Sequence, residues 1–169
     1  MIISVIGSGG KTTYIHELKD KYVSQGKTVL MCTTTHMLIE EDTLVNPSLD
    51  EIMRQIEKYG YCHAGNLCDD KKICALDLNL LNQLKKMVDV ILIEADGSKH
   101  LPLKYPNEKE PVIDLDSDEI VLISNLKGLG NPVKDVIHRY TLMDVDPNEL
   151  VTPKIMQDLI RVYLKKLDK

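Results

Sequence analysis

The chain has 169 residues, 43% of them apolar and 28% charged, an ordinary globular composition with a formal net charge of −5. That charge argues against a dedicated binder of nucleic acid or of anionic membrane, so any anion site must be local and built from loop geometry. No apolar run nears the roughly 18 residues of a membrane helix, and "MIISVIG" lacks the basic segment that opens a signal peptide, so a reducing cytoplasm is the expected compartment.

Chains near ~100–150 residues form one domain most often, which predicts a single domain over 1–169. With no Phe and no Trp, its core must rest on Ile, Leu, Val, Met and the seven Tyr.

"MIISVI" is a short β-branched run ending at Gly7 and predicts a buried strand. From Lys11 the period becomes helical through Ile15, Leu18 and Tyr22, and Gly26 supplies a stop. "KTVLMCTTT" predicts a second buried strand, completing a βαβ unit and hence a parallel sheet. "PSLDEIMRQIEKYG" opens with Ser48 three residues before Glu51, the spacing of a capping box, and then carries one apolar face.

Over 61–75, "YCHAG" and "KKICAL" are candidate short strands, with "CDDK" as a candidate hairpin turn. A helix is expected over about 77–87, followed by the clearest strand in the chain, "DVILIE". The long turn-rich segment 95–112 is of a length that is usually functional or disordered. "EIVLIS" predicts another strand, and Thr152 before Pro153 has the order of a helix start. Together these predict a three-layer α/β domain with a mostly parallel sheet, of the P-loop NTPase kind.

Three strand-end motifs carry candidate chemistry. "GSGGKTT" lies between a strand and a helix N-terminus, where backbone N–H groups and the helix dipole favour an anion. Gly7, Ser8, Gly9 and Gly10 would wrap phosphates, with three glycines free to take positive φ. Lys11 would place its ammonium on the phosphates, and Thr12, beside Thr13, offers a hydroxyl suited to magnesium. The loop is shorter than the common pattern of a glycine, four free residues and Gly-Lys-Ser/Thr. The competing reading is a tight strand–helix turn with an incidental lysine.

"ILIEADGSK" sets Glu94 at a strand end, where P-loop proteins place an acid near magnesium, and Asp96 two residues on. The plainer reading of Glu94 is a strand end that caps its turn. "TTTH" follows the second strand, and Asp96, Thr34 or His36 would orient water; for the threonines the alternative is a β-former run leaving the strand. Ligands bind off the carboxyl ends of strands in open parallel sheets, so all three loops should converge. Lys99 and Lys104, in the long segment, read either as a clamp on phosphate or an acidic substrate, or as solvated surface.

Cys32, Cys62, Cys68 and Cys74 form no C-x-x-C pair. His63 beside Cys62 makes a metal site conceivable, against reduced thiols as the ordinary reading.

The ordered blocks "GSGGKTT", "TTTH", "EADGSKHLPLKYPNEKEPVI", "KGLG" and "IHR" resemble the YqeC family, described as accessory proteins of selenium-dependent hydroxylases. The resemblance runs from Met1 to about Arg139 and more weakly into the last helix, and its most specific block is the "EADGSK" segment. The glycine loop alone also resembles that of the Mur ligases, in which Gly7, Gly10, Lys11, Thr12 and Thr13 take the phosphate and magnesium roles. No counterpart of the ligases' central and C-terminal domains is present. YqeC proteins run longer, so the chain is expected to be a compact member or to lack a C-terminal segment. Only "SNLKG" stands where an N-K-x-D would select guanine, which leaves a mild preference for ATP over GTP.

The resemblance implies a role in maturing molybdenum hydroxylases that need a labile selenium, with such a hydroxylase or its maturation proteins as partner. The leading expectation is a magnesium-dependent nucleotide-binding factor that hydrolyses ATP or GTP, with Thr12 and Glu94 around the metal. An ATP-dependent ligase or kinase acting on a small acid or cofactor precursor is the second reading. A non-catalytic nucleotide-binding module is the third.

Overall fold

The computed structural model describes residues 1–97 and 100–168. Its first half follows the hydrophobic periods. Strand β1 (Ile2–Ser8) is buried along its whole length, as a central parallel strand must be, and leads into helix α1 (Lys11–Ser24). β2 (Val29–Thr33) is equally buried. Two short strands follow, β3 (Met37–Leu38) and β4 (Thr43–Val45), before helix α2 (Leu49–Tyr59). The Ser48–Glu51 capping box forms at the start of α2, and Gly60 ends it in the left-handed conformation.

β5 (Tyr61–Asp69) and β6 (Lys72–Cys74) form the hairpin around "CDDK". Helix α3 (Leu78–Leu84), capped by Asp77, is shorter than the expected 77–87 because its last residues close as turns. β7 (Val90–Glu94) follows it. The long segment contains β8 (Leu103–Lys104), and then come β9 (Glu119–Ser124), α4 (Val133–Val136), β10 (Ile137–His138) and α5 (Pro153–Leu167).

The main sheet has the order β3-β6-β5-β2-β7-β1-β9, with β4 beside β5. β1, β2, β5, β7 and β9 run parallel, and β6 pairs antiparallel with both β3 and β5. Alternate residues of each strand face opposite layers. Ile3, Val5, Met31 and Leu92 pack under Ile15 and Leu18 of α1. Ile6, Leu30, Cys62 and Ile91 pack on the other face against Ile52 and Ile56 of α2 and Leu81 and Leu84 of α3. The protein is thus α/β, a mostly parallel mixed sheet flanked by helices. A third, smaller core of Leu103, Val133, Ile137, Ile155 and Leu159 joins the β8–β10 pair to α5. Among the described residues no helix is long and apolar enough to cross a membrane.

Candidate functional site

The sheet order brings the three motifs together. β7 lies between β1 and β2, with Val5 and Thr33 both in register with Glu94, so the outlets of these strands are neighbours. At the first outlet the chain needs glycine for steric reasons. Gly7 has φ 89°, and a Cβ there would lie 2.1 Å from the Ile123 carbonyl oxygen. Gly9 has φ 79°, and its Cβ would lie 2.5 Å from the Pro102 carbonyl oxygen. Side chains fix the loop from outside: Ser8 Oγ donates to Pro102 O at 3.1 Å, and Asn125 Nδ2 donates to Gly9 O at 2.6 Å. α1 starts directly afterwards with Gly10 as N-cap; among the described residues no side chain caps it, and its first turn holds no acid.

Lys11 opens that turn with a buried side chain whose Nζ donates to Gly7 O at 3.0 Å and lies 3.7 Å from Glu94 Oε1. Thr12 Oγ1 donates to Glu94 Oε2 at 2.8 Å. Lysine, threonine and acid therefore meet at one point. Burial sets their electrostatics. It pushes the Lys11 pKa down, against the attraction of Glu94, and pushes the Glu94 carboxyl up, against Lys11 and the Thr12 hydrogen bond.

Two residues beyond Glu94 the environment reverses. Asp96 is wholly buried and accepts from Gly7 N at 3.2 Å, from Tyr163 Oη at 2.6 Å and from Lys104 Nζ. Lys104, equally buried, also donates to Gly97 O and lies 2.6 Å from Glu110 Oε2. Arg139 closes the seam with both terminal guanidinium nitrogens, Nη1 and Nη2, donating to Glu110. Desolvation would raise the Glu110 pKa, yet the hydrogen bonds from Arg139 and Lys104 hold it below the usual glutamate range. Burial and the Asp96 charge push the Tyr163 phenol up, so it stays a neutral donor.

The other expected residues are placed as follows. Thr33 Oγ1 and Thr34 N both bond to Glu94 O, at 2.7 and 3.2 Å, so "TTT" ties the end of β2 to that of β7. The Thr34 hydroxyl donates to Val112 O. His36 and Thr13 are exposed. Lys104 differs from the expected clamp, since gripping a ligand would first require breaking two buried ion pairs. Lys99 lies outside the described residues.

Tyr163, Glu110, Arg139 and Asn125 were not singled out from chemistry. Glu110 and Arg139 carry a signal only as parts of the family blocks. Tyr163 sits at an apolar helical position and reads as core.

The comparisons with known proteins agree on one family. The family model described as YqeC protein matches residues 3–141. The "Uncharacterized protein YqeC" of Escherichia coli (strain K12) is 30% identical over 148 residues, covering 83% of this chain and 58% of that protein. The chain thus spans somewhat over half the length of this relative. No solved structure matches.

Proposed function

The chain belongs to the YqeC family, and we propose that it binds a nucleoside triphosphate with magnesium at the glycine loop and hydrolyses it in the service of hydroxylase maturation. The observation that carries the nucleotide reading is the meeting of Lys11, Thr12 and Glu94 at the mouth of a glycine loop that opens a helix. The fold is then of the P-loop NTPase kind. The hydroxylase context rests on the family resemblance alone, and makes a selenium-dependent molybdenum hydroxylase or its maturation proteins the partner.

The donor set fits magnesium: a hydroxyl and a carboxylate oxygen 2.8 Å apart are hard ligands, and magnesium takes one or two protein oxygens together with phosphate and water. Thr12 and Glu94 would hold it, and when bound it would neutralise charge on the phosphates. The backbone of Gly7 to Gly10 would surround the phosphates. Lys11 would turn its ammonium from Gly7 O and Glu94 towards them, gaining a stronger anionic partner in a buried setting. As Glu94 exchanges the Thr12 proton donor for a cation, its carboxylate form is stabilised. Asp96 takes an anchoring role, holding Gly7 N in place through a carboxylate saturated by three donors. His36, exposed at the outlet of β2, would orient the water, with Thr34 fixing the backbone beside it. ATP is preferred over GTP.

The saturation of Asp96 also favours a second reading, a nucleotide-binding module without hydrolysis. Thermal unfolding with ATP, GTP or CTP, with and without magnesium, tests binding, since a ligand at 100 times its Kd stabilises the native state by about 2.7 kcal/mol. Phosphate release in the same samples separates the two readings. Unchanged melting with every nucleotide would remove both.

A further inference from the structure

On the α1 side of the sheet lies a second cluster of ligand-type side chains. His16 sits one turn after Thr12 on α1, Glu40 and Asp42 lie between β3 and β4, and His63 is the third residue of β5. His16 Nε2 is 3.1 Å from each oxygen of the Glu40 carboxylate. His63 Nδ1 lies 3.4 Å from Glu40 Oε2. One ligand atom from each of Glu40, Asp42 and His63 lies within 4.8 Å of the others.

His63 is wholly buried, and among the described residues its Nε2 has no hydrogen-bond partner. Its Nδ1 meets the Thr43 hydroxyl at 2.8 Å, and that hydroxyl already accepts from Glu40 N. The hydroxyl keeps its proton and a second lone pair, so it can meet Nδ1 as donor or as acceptor.

We propose that Glu40, Asp42 and His63, with His16 completing the set through its contact with Glu40, form a binding site for a borderline divalent transition-metal ion, best represented by zinc. Around an ion with bonds of ~2.0–2.1 Å, tetrahedral ligand atoms stand about 3.3–3.4 Å apart, close to the spacing of Glu40 from both imidazoles. Two imidazoles and two carboxylates suit zinc better than magnesium, which takes oxygen ligands almost exclusively. The side chains of His16 and Glu40 are each about a third exposed, which leaves the cluster open to an ion. Cys62 takes no part: strand alternation turns it into the opposite core, against α2. The site shares no ligand with Thr12 or Glu94.

The test is calorimetric titration of zinc into the chelator-treated full chain, repeated with cobalt(II) and read by its visible absorption. One equivalent should bind, with the absorption of a tetrahedral ion. Glu40→Gln and His16→Gln, both at partly exposed positions, should each weaken binding by at least the roughly 10–100-fold that loss of an outer-shell partner costs. Lys11→Ala should bind zinc as the native chain does, so this site and the nucleotide reading fail separately. The double variant Cys68→Ser/Cys74→Ser should also bind normally. No binding to the native chain would overturn the proposal, as would binding that survives Glu40→Gln and His16→Gln or vanishes in the cysteine variant.

Discussion

Glu94 and Asp96 leave the same strand two residues apart and occupy opposite states. Glu94 shares its carboxylate between one threonine hydroxyl and a lysine 3.7 Å away, with its pKa pushed up by burial. Asp96 accepts from a backbone amide, a phenol and an ammonium, with no exposed surface. The first arrangement is suited to exchanging partners and the second to keeping them. The contrast divides the corner into a front of exchangeable partners, Gly10 to Thr13 with Glu94, and a structural back, Asp96 with Lys104, Glu110, Arg139 and Tyr163.

The largest effect should fall on the back. Asp96→Ala leaves the buried Lys104 ammonium with Glu110 as its one carboxylate, beside Gly97 O, and removing one partner of a buried pair typically costs about 3–5 kcal/mol. Urea unfolding should show that loss, and a change under about 1 kcal/mol would place Asp96 outside the supporting seam. Tyr163→Phe deletes one hydrogen bond to a charged acceptor and should cost about 1.5–3 kcal/mol in the same measurement.

At the front, Glu94→Gln should keep the native unfolding midpoint nearly unchanged while weakening magnesium-dependent nucleotide binding roughly tenfold or more, about 1.4 kcal/mol. The pH dependence sharpens the contrast. Because the folded-state pKa of Glu94 is raised, its charged form appears only above the ordinary glutamate range. Binding through magnesium should therefore strengthen as pH rises through that raised value, and Glu94→Gln should flatten the profile. Glu110 has the opposite sign. Its folded-state pKa is lowered, so its contribution to stability is full above the unfolded pKa and is lost as pH falls through the folded one. Unfolding measured down that acid range should be steeper for the native chain than for Glu110→Gln, and identical slopes would detach Glu110 from the seam.

The front was legible because its signals are local. A β-branched run, a glycine loop, a lysine–threonine pair and an acid closing an apolar strand are each visible within a few residues, and a parallel βαβ unit sets their outlets side by side. Helices α2 and α5 were readable from Ser48, Glu51, Thr152 and Pro153 for the same reason. The back was not, because its partners are far apart in the chain: Tyr163 is 67 positions from Asp96, and Arg139 is 29 from Glu110. Strands β3, β8 and β10, with two residues each, are too short to show any period and exist only through pairing. The same holds for His63, whose neighbour in sequence, Cys62, faces away while Glu40 comes to it from another element and carries His16 on its own carboxylate.

The central claim is that the Lys11 corner binds nucleotide. Calorimetric titration of magnesium–ATP into the native chain and into Lys11→Ala tests it most directly. The account predicts saturable binding of one equivalent to the native chain and its near-complete loss in Lys11→Ala, with the variant still folded by circular dichroism. Equal affinity in the two proteins would contradict it.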